Sequence, residues 1–164
     1  MAGRIFVDAD ACPVREETVR VAARHRMGVV LVSDGGIRPH PAPHVEVVIV
    51  AQGADAADMW IAERAGPGDI CVTSDLPLAA RALAAGAAAI RPDGKVLTAD
   101  GIGHRLAMRD LMADLRAASP LETMVGGGRG GPRPFSKSDR SRFLDRLETL
   151  ARKAGGRLRS APGG

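Results

Sequence analysis

The sequence predicts an α/β protein with a mainly parallel sheet flanked by helices, followed by a C-terminal helical extension. Short apolar runs alternate with segments whose apolar residues recur at helical spacing along residues 1–120. Hydrophobic residues make up 45% of the 164 positions, which is a globular composition. Length and composition together predict one α/β domain over residues 1–120 and an extension over residues 121–164.

The predicted elements follow one another with short turns between them. Five apolar runs predict strands, at residues 5–7, 29–32, 45–51, 70–73 and 87–90. Amphipathic patterns predict four helices, at residues 14–26, 55–65, 76–85 and 102–117. Pro13 and Pro77 suit a first helical turn, and the turns "SDGG", "GPGD" and "PDGK" separate successive elements.

The extension has a different composition from the body. The stretch "GGGRGGPRP" is a Gly/Pro linker, and Ser136 or Ser138 after it can cap a final helix that reaches about residue 153. Phe143, Leu147 and Leu150 give this helix an apolar stripe, so we expect it to dock on the body or on a partner. The closing residues "GGRLRSAPGG" are expected to be disordered.

Charge is unevenly distributed. Residues 1–120 carry 13 basic and 15 acidic residues, whereas residues 121–164 carry 10 basic and 4 acidic ones, so net charges of −2 and +6 stand side by side. A basic extension can contact phosphates, but Arg outnumbers Lys by 20 to 3, which also fits a genome-wide coding bias. Three Phe, one Trp and no Tyr argue against a platform that stacks bases.

The expected location is the cytoplasm. No uncharged apolar run reaches the ~18 residues that a membrane span needs, and early charges leave no room for a signal peptide. Two cysteines do not make a disulfide framework. We therefore expect no membrane partner.

Acidic residues follow the strands of the predicted sheet. Asp8 and Asp10 follow the first strand, Asp75 follows the fourth, and Asp55 and Asp58 begin the helix after the third. In a parallel α/β sheet the ligand crevice lies outside the carboxyl ends of the strands, so all five acids can reach one edge.

Each acid also has a simple structural explanation. Asp75 and Asp55 can cap the helices that follow them, Asp58 can be a solvated helix position, and Asp8 can bind a neighbouring loop. Together they are harder to explain in this way, because nearby carboxylates repel one another and raise each other's pKa. A divalent cation would offset the repulsion, and oxygen ligands without His or Cys favour Mg²⁺ or Mn²⁺ over zinc.

Other candidate residues carry weaker signals. Cys12 is expected to be a small packing residue and Cys71 a core residue. Thr73 and Ser74 could bind a phosphate or simply close the end of their strand. Arg109 could clamp a phosphate or form a surface charge pair with its neighbour.

Several longer blocks resemble one known family. These blocks are "VDADACP", "GADAADMWI", "DICVTSDLPLA", "GAAAIRPDG", "RLAMRDLM" and "GGPRPFSKSDRSRF". From about residue 4 to residue 150 the chain resembles the bacterial YaiI/YqxD family (UPF0178, DUF188), which is grouped with PIN-like nuclease domains. The resemblance implies a PIN-like fold and nuclease activity. It places Asp8 as the first acid with Asp10 two residues on. It places Asp55 and Asp58 where an acid comes from a helix, and Asp75, with Thr73 beside it, as the acid after the fourth strand.

The leading hypothesis is a Mg²⁺- or Mn²⁺-dependent phosphodiesterase acting on nucleic acid, with RNA as the expected substrate. Asp8, Asp10, Asp58 and Asp75 would be catalytic, and together with Asp55 they would hold the metal. Arg133, Lys137 and Arg140 in the extension would lie against the substrate backbone.

Two alternatives remain open. A phosphohydrolase of the haloacid dehalogenase type would use Asp8 as its nucleophile, although Cys12 stands where that family usually has Thr. A non-catalytic nucleic-acid-binding module would keep the metal site for structure alone.

Overall fold

A six-stranded sheet forms the centre of the protein. The computed structural model describes residues 3–10, 12–51, 53, 55–118 and 134–160. The strands are β1 (Arg4–Asp8), β2 (Gly28–Ser33), β3 (Val45–Ile49), β4 (Ile70–Val72), β5 (Ala88–Ile90) and β6 (Val96–Leu97). Their order across the sheet is β3-β2-β1-β4-β5-β6, and every pairing is parallel except that of β5 with β6.

Helices cover both faces of the sheet. They are α1 (Arg15–Arg24), α2 (Ala56–Arg64), α3 (Leu76–Ala84), α4 (Ala99–Ala118) and α5 (Lys137–Ser160). The predicted fold class, an α/β protein with a mainly parallel sheet and a C-terminal helix, is confirmed. None of the helices in the described ranges combines the length and the hydropathy that a membrane crossing requires.

Strand alternation divides the core into two layers. Val7 and Leu31 point to one face, where they pack with α1 and α5. Phe6 and Val30 point to the other face, where they meet α2 and α3. This alternation follows from the two-residue side-chain period of a strand. Because both faces are covered, the central residues of β1 and β2, 5–7 and 29–32, are all apolar.

The chain direction reverses across the sheet at the β1–β4 junction. From β1 the chain moves outward to β2 and β3, and then returns to place β4 on the opposite side of β1. Loops leaving β1 and β4 therefore diverge to opposite faces and leave a crevice between them. This junction is where a ligand is expected to bind in an open α/β sheet.

The C-terminal helix α5 packs beside α1. Phe143 and Leu147 are fully buried in the same core layer as α1. Arg140 pairs with Glu17 at 3.2 Å, and eight residues further along both helices Glu148 meets His25 at 2.7 Å. The two helices are therefore parallel, and α5 begins near the carboxyl edge of the sheet, as α1 does.

Two local features fix the position of α5. Ser136 Oγ accepts a hydrogen bond from the Asp139 backbone N–H, and an Asp139 carboxylate oxygen accepts one from the Ser136 N–H, which is a reciprocal N-terminal cap. Gly94 in the "PDGK" turn has φ +90°, and a Cβ there would lie 2.6 Å from the Phe143 backbone nitrogen. Only glycine allows the turn to approach α5 this closely.

Several predicted boundaries were wrong. The two-residue strand β6 was not expected, and α4 begins at residue 99 instead of 102. The stretch "GGRLRSAPGG" was expected to be disordered, but α5 continues through residues 155–160. The Gly/Pro linker lies outside the described residues, and the division into domains at residue 120 stays a prediction.

Part of the apolar pattern of α4 faces solvent. Ile102 is buried against α3, and Leu106 packs on the same cluster. Further along the helix, Leu111 and Leu115 are half exposed. Because the sheet ends at β6, the second half of α4 has no described layer beneath it.

Candidate functional site

An acidic cleft opens at the β1–β4 junction. It encloses about 410 Å³. The residues that line it are Asp8, Asp10, Asp34, Gly53, Ala57, Asp58 and Asp75. Five of these seven lining residues are acidic and none is basic. The cleft therefore concentrates negative charge where the topology predicts a ligand.

Asp8 occupies the centre of this cleft. It is the last residue of β1 and is partly buried. Thr73 Oγ1 donates a hydrogen bond to Asp8 Oδ2 over 3.3 Å. Burial raises the pKa of Asp8, and the nearby carboxylates of Asp10 and Asp75 raise it further, while the Thr73 hydrogen bond opposes the rise.

Asp10 is held by the end of β2. Ser33 Oγ donates a hydrogen bond to Asp10 Oδ1 at 2.7 Å, and the Asp34 backbone N–H donates to Asp10 Oδ2 at 3.3 Å. Asp34 itself lines the cleft, although the sequence predicted only a turn at "SDGG". Its position immediately after an apolar strand was the signal that could have identified it.

Asp75 has a structural role as well as a place in the cleft. Its Oδ1 accepts a hydrogen bond from the Leu78 backbone N–H at 2.8 Å, which caps α3. Its own backbone N–H donates to Thr73 Oγ1 at 3.0 Å. The cap uses one carboxylate oxygen of Asp75 and leaves the other for the cleft.

Asp58 enters the cleft from the first turn of α2. Burial raises the pKa of Asp58 to about 6, with further contributions from Asp75 and Asp8. Asp55 precedes α2 but makes no side-chain cap and does not line the cleft. Its charge still adds to the rise in the pKa of Asp58.

The carboxylates of the cleft do not form a complete metal-binding site. Within the described part of the chain, no three acidic, His or Cys side chains are already placed to hold one metal ion. The chemistry of the donors nevertheless fits a hard divalent cation, because they are all carboxylates. Burial is the main cause of the raised pKa values of Asp8 and Asp58, and nearby carboxylates add to the rise; a bound cation would offset both effects.

The predicted substrate-binding residues fall into different surroundings. Thr73 is buried beneath the carboxylates and bonded to Asp8 and Asp75, whereas Ser74 is exposed beside them. Arg109 is exposed on α4 and shares a groove of about 610 Å³ with Pro77, two residues beyond Asp75.

The described basic residues of the extension lie at the start of α5. Lys137 is exposed at the first turn of α5. Arg140 is bound to Glu17 at 3.2 Å and stacks over the Phe135 ring at 5.5 Å. Arg133 lies outside the described residues.

Neither cysteine has the surroundings of a nucleophile. Cys12 and Cys71 are both buried free thiols. Burial raises the pKa of Cys12, and burial together with the acidic cleft raises that of Cys71 to about 12. Their placement agrees with the expected packing roles.

The fold and the cleft define a class, namely doubly wound α/β proteins with a carboxylate-lined crevice where the strand order reverses. Within that class the chain belongs to the YaiI/YqxD family, since the family model described as "Uncharacterized BCR, YaiI/YqxD family" (DUF188) matches residues 6–153.

Relatives match over nearly the whole length. A UPF0178 protein of Cereibacter sphaeroides is 57% identical over 160 residues, covering 98% of this chain and 95% of the relative. A UPF0178 protein of Ruegeria pomeroyi is 58% identical over 150 residues, covering 92% and 94%. One from Parvibaculum lavamentivorans is 58% identical over 144 residues, covering 88% and 90%. No solved structure matches this chain significantly.

Proposed function

We propose that the protein is a Mg²⁺- or Mn²⁺-dependent phosphodiesterase that acts on nucleic acid, with RNA as the expected substrate. The observation that carries this proposal is the cleft at the β1–β4 junction, in which five acidic side chains and no basic one line the wall. The PIN-like grouping implied by the sequence points to the same reaction.

The charge of the cleft explains why a cation is required. A phosphodiester is anionic, and five carboxylates would repel it from a cleft of about 410 Å³. A divalent cation held by these carboxylates would supply positive charge for the phosphate oxygens and would lower the pKa of a bound water molecule. Asp8, Asp10, Asp58 and Asp75 are the proposed ligands, and Asp55 contributes negative charge from outside the wall.

The surrounding hydrogen bonds keep the carboxylates in place for this role. Ser33 holds one oxygen of Asp10, and Thr73 holds one oxygen of Asp8. Each of these two carboxylates still has oxygen lone pairs that accept no hydrogen bond from a described donor, and these can bind a cation. Fixed positions matter because phosphoryl transfer depends chiefly on orientation and charge.

Exposed basic groups outside the cleft complete the proposal. Arg109 lines a groove on α4 together with Pro77, two residues beyond Asp75, and Lys137 lies in the first turn of α5. A strand bound in the cleft would contact these cations through its phosphates. Such contacts would hold the backbone without reading its sequence.

The test is metal-dependent cleavage of a labelled single-stranded RNA. We expect cleavage with Mn²⁺ and none with EDTA, and we expect Asp8→Asn to slow it by ~10²-fold or more. Asp145→Asn is the matched control, because Asp145 lies on α5 with its side chain 81% exposed.

Each alternative has its own outcome. RNA binding without turnover under any divalent condition would favour the non-catalytic module. Hydrolysis of phosphate monoesters with a trapped aspartyl-phosphate on Asp8 would favour the haloacid dehalogenase reaction. Either result would overturn the nuclease proposal.

A further inference from the structure

A second and larger cavity lies beside the acidic cleft. It encloses about 790 Å³ between the N-terminal turn of α1 and the loop after β2, a size that suits a small organic ligand. Its lining is Cys12, Pro13, Arg15, Glu16, Glu17, Leu31, Gly36, Ile37, Arg38, Pro39, His40 and Pro41. None of these residues belongs to the acidic cleft.

The floor of this cavity is apolar. Leu31 and Cys12 are 4% and 8% exposed, and Ile37 packs against the same core cluster. Three prolines among the lining residues add flat apolar surface. A planar, weakly polar body could cover this floor and gain free energy from burying apolar area.

The rim carries cations that are not neutralised. Glu16 pairs with His40 at 3.1 Å, and Glu17 pairs with Arg140 at 3.2 Å, so both acids of the rim already have partners. Arg15 and Arg38 make no hydrogen bond or ion pair with any residue that the structure describes. The rim therefore offers two guanidinium groups to an anion, and guanidinium binds phosphate in a bidentate geometry.

The cavity adjoins the cleft through two pairs of near neighbours. Asp10 lines the cleft and Cys12 lines the cavity, and Asp34 and Gly36 are related in the same way. Residues two apart have Cα atoms within ~7 Å of each other. A linear polymer that is bound in the cleft and extends across this boundary would therefore lie directly in the cavity.

We propose that this cavity binds the nucleotide adjacent to the phosphodiester held in the acidic cleft, with its base on the apolar floor and its phosphate on Arg15 and Arg38. This assignment rests on the proposed function. The assignment accounts for two features of the cavity together, the unpaired guanidinium groups on its rim and its apolar floor. A bare inorganic anion would use the guanidinium groups but not the floor. None of the lining residues is Phe, Tyr or Trp, so the base would be held by contact with apolar side chains and not by stacking on such a ring.

The binding test is done in Ca²⁺, a hard divalent cation that carboxylate oxygens bind and that offsets the negative charge of the acidic cleft. Adenosine 5′-monophosphate and a single-stranded adenosine hexaribonucleotide are each titrated and followed by amide chemical shifts and by anisotropy. We expect both to shift the amides of residues 12, 15 and 36–38. We expect the hexamer to bind more tightly, and the double variant Arg15→Gln/Arg38→Gln to weaken it at least about tenfold.

Arg81→Gln is the matched control, because Arg81 is exposed on α3 on the opposite face of the sheet. Unchanged hexamer affinity in the double variant, or no shift in the cavity amides, would overturn the assignment. Equal affinity for the monophosphate and the hexamer would also overturn it, since a free mononucleotide would then be the ligand.

A cleavage assay separates this proposal from the one on which it rests. If the wild-type protein cleaves RNA with Mn²⁺ and the double variant does so at the same rate and the same KM, the cavity assignment fails and the cleft assignment stands. If cleavage is absent but the cavity amides still shift and the double variant still weakens binding, the nuclease proposal fails and the nucleotide site stands.

Discussion

Thr73 Oγ1 donates a hydrogen bond to Asp8 Oδ2 over 3.3 Å, across the junction at which the strand order of the sheet reverses. The same oxygen accepts the Asp75 backbone N–H, so one hydroxyl connects the two strands that carry the central acids. Thr73 is 1% exposed, so its hydroxyl reaches Asp8 and Asp75 from the protein interior and not from the solvent side of the cleft.

Thr73→Val tests this connection. The replacement keeps the branched shape but removes the hydrogen bond that lowers the pKa of Asp8, so that pKa should rise. We expect Mn²⁺ affinity at pH 6 to fall by ~10-fold, because a protonated carboxylate is a poor ligand. Calorimetric titration of Mn²⁺ at pH 6 and pH 8 measures this, and an equal loss at both pH values would show that the hydroxyl acts in some other way. Thr149→Val, at an exposed position within α5 that does not line the cleft, is the control.

Metal binding should stabilise the fold by linkage. With free Mn²⁺ at a hundred times its dissociation constant, the free energy of unfolding should rise by ~2.7 kcal/mol. Asp8→Asn should abolish most of this rise. Asp75→Ala should also cost ~0.5–2 kcal/mol in EDTA, because its carboxylate caps α3. Thermal melts in Mn²⁺ and in EDTA decide the question, and identical wild-type melts in both buffers would contradict a metal site in the cleft.

The raised pKa of Asp58 predicts a pH dependence of the metal-free protein. The pKa of Asp58 rises from 3.8 to about 6 in the folded state, so folding favours the protonated carboxyl. Its stabilising effect is complete below about pH 4 and is lost as the pH rises through about 6. At pH 7.5 in EDTA we expect Asp58→Asn to be more stable than wild type by about 1 kcal/mol, after discounting for solvent screening. Urea unfolding from pH 4 to pH 8 checks this. A stability difference that does not change with pH would contradict it.

The stability contributed by the contact between α1 and α5 should increase with pH, whereas that contributed by Asp58 decreases. Hydrogen bonds from Arg24 and His25 lower the pKa of Glu148 below its ordinary 4.5. Glu148 therefore contributes stability above about pH 4.5, and this contribution is lost as the pH falls through its lowered pKa. Glu148→Gln should be less stable than wild type by ~0.5–1 kcal/mol at pH 7, and this difference should shrink as the pH falls below 4.5. Glu63→Gln, 65% exposed, should show no such change in urea unfolding.

The basic extension should contribute to the salt dependence of RNA binding. Changing Arg133, Lys137 and Arg140 to Gln should reduce the slope of log affinity against log salt by ~0.7 for each phosphate that is no longer neutralised. Anisotropy titrations between low and moderate salt measure the slope. An unchanged slope would exclude these residues from the interface, and Arg152→Gln near the far end of α5 serves as the control.

Local sequence patterns were enough to predict the sheet with its flanking helices and most of the acidic residues that line the cleft. Asp8, Asp10 and Asp75 could be placed because each follows an apolar run, and parallel strands bring such positions to one edge. Asp34 obeys the same rule but was obscured by the glycines after it. Asp55 was expected in the cleft, yet the first turn of α2 presents Asp58 to the cleft instead.

What the sequence could not predict depends on contacts between distant segments. Strand β6 has only two residues, too few to show the alternation of buried and exposed side chains that marks a strand. It is recognised only through the pairing of Leu97 with Ala89 of β5. Glycines at 155 and 156 suggested the end of α5, but the helix continues past them to Ser160. The second cavity requires the loop after β2 to lie against α1, which no local pattern encodes.

Parallel packing of α5 beside α1 has a consequence for the order of assembly. Phe143, Leu147 and Ala151 complete the core layer that α1 begins on one face of the sheet, where α5 contacts β5, yet they are synthesised after every strand of the sheet. A nascent chain that has released its strands but not α5 would leave the β5 side of that layer, including Ile90, exposed to water. During translation this face is therefore the surface most open to chaperones and to misassembly, and the protein can close its core only when the last helix is free to dock.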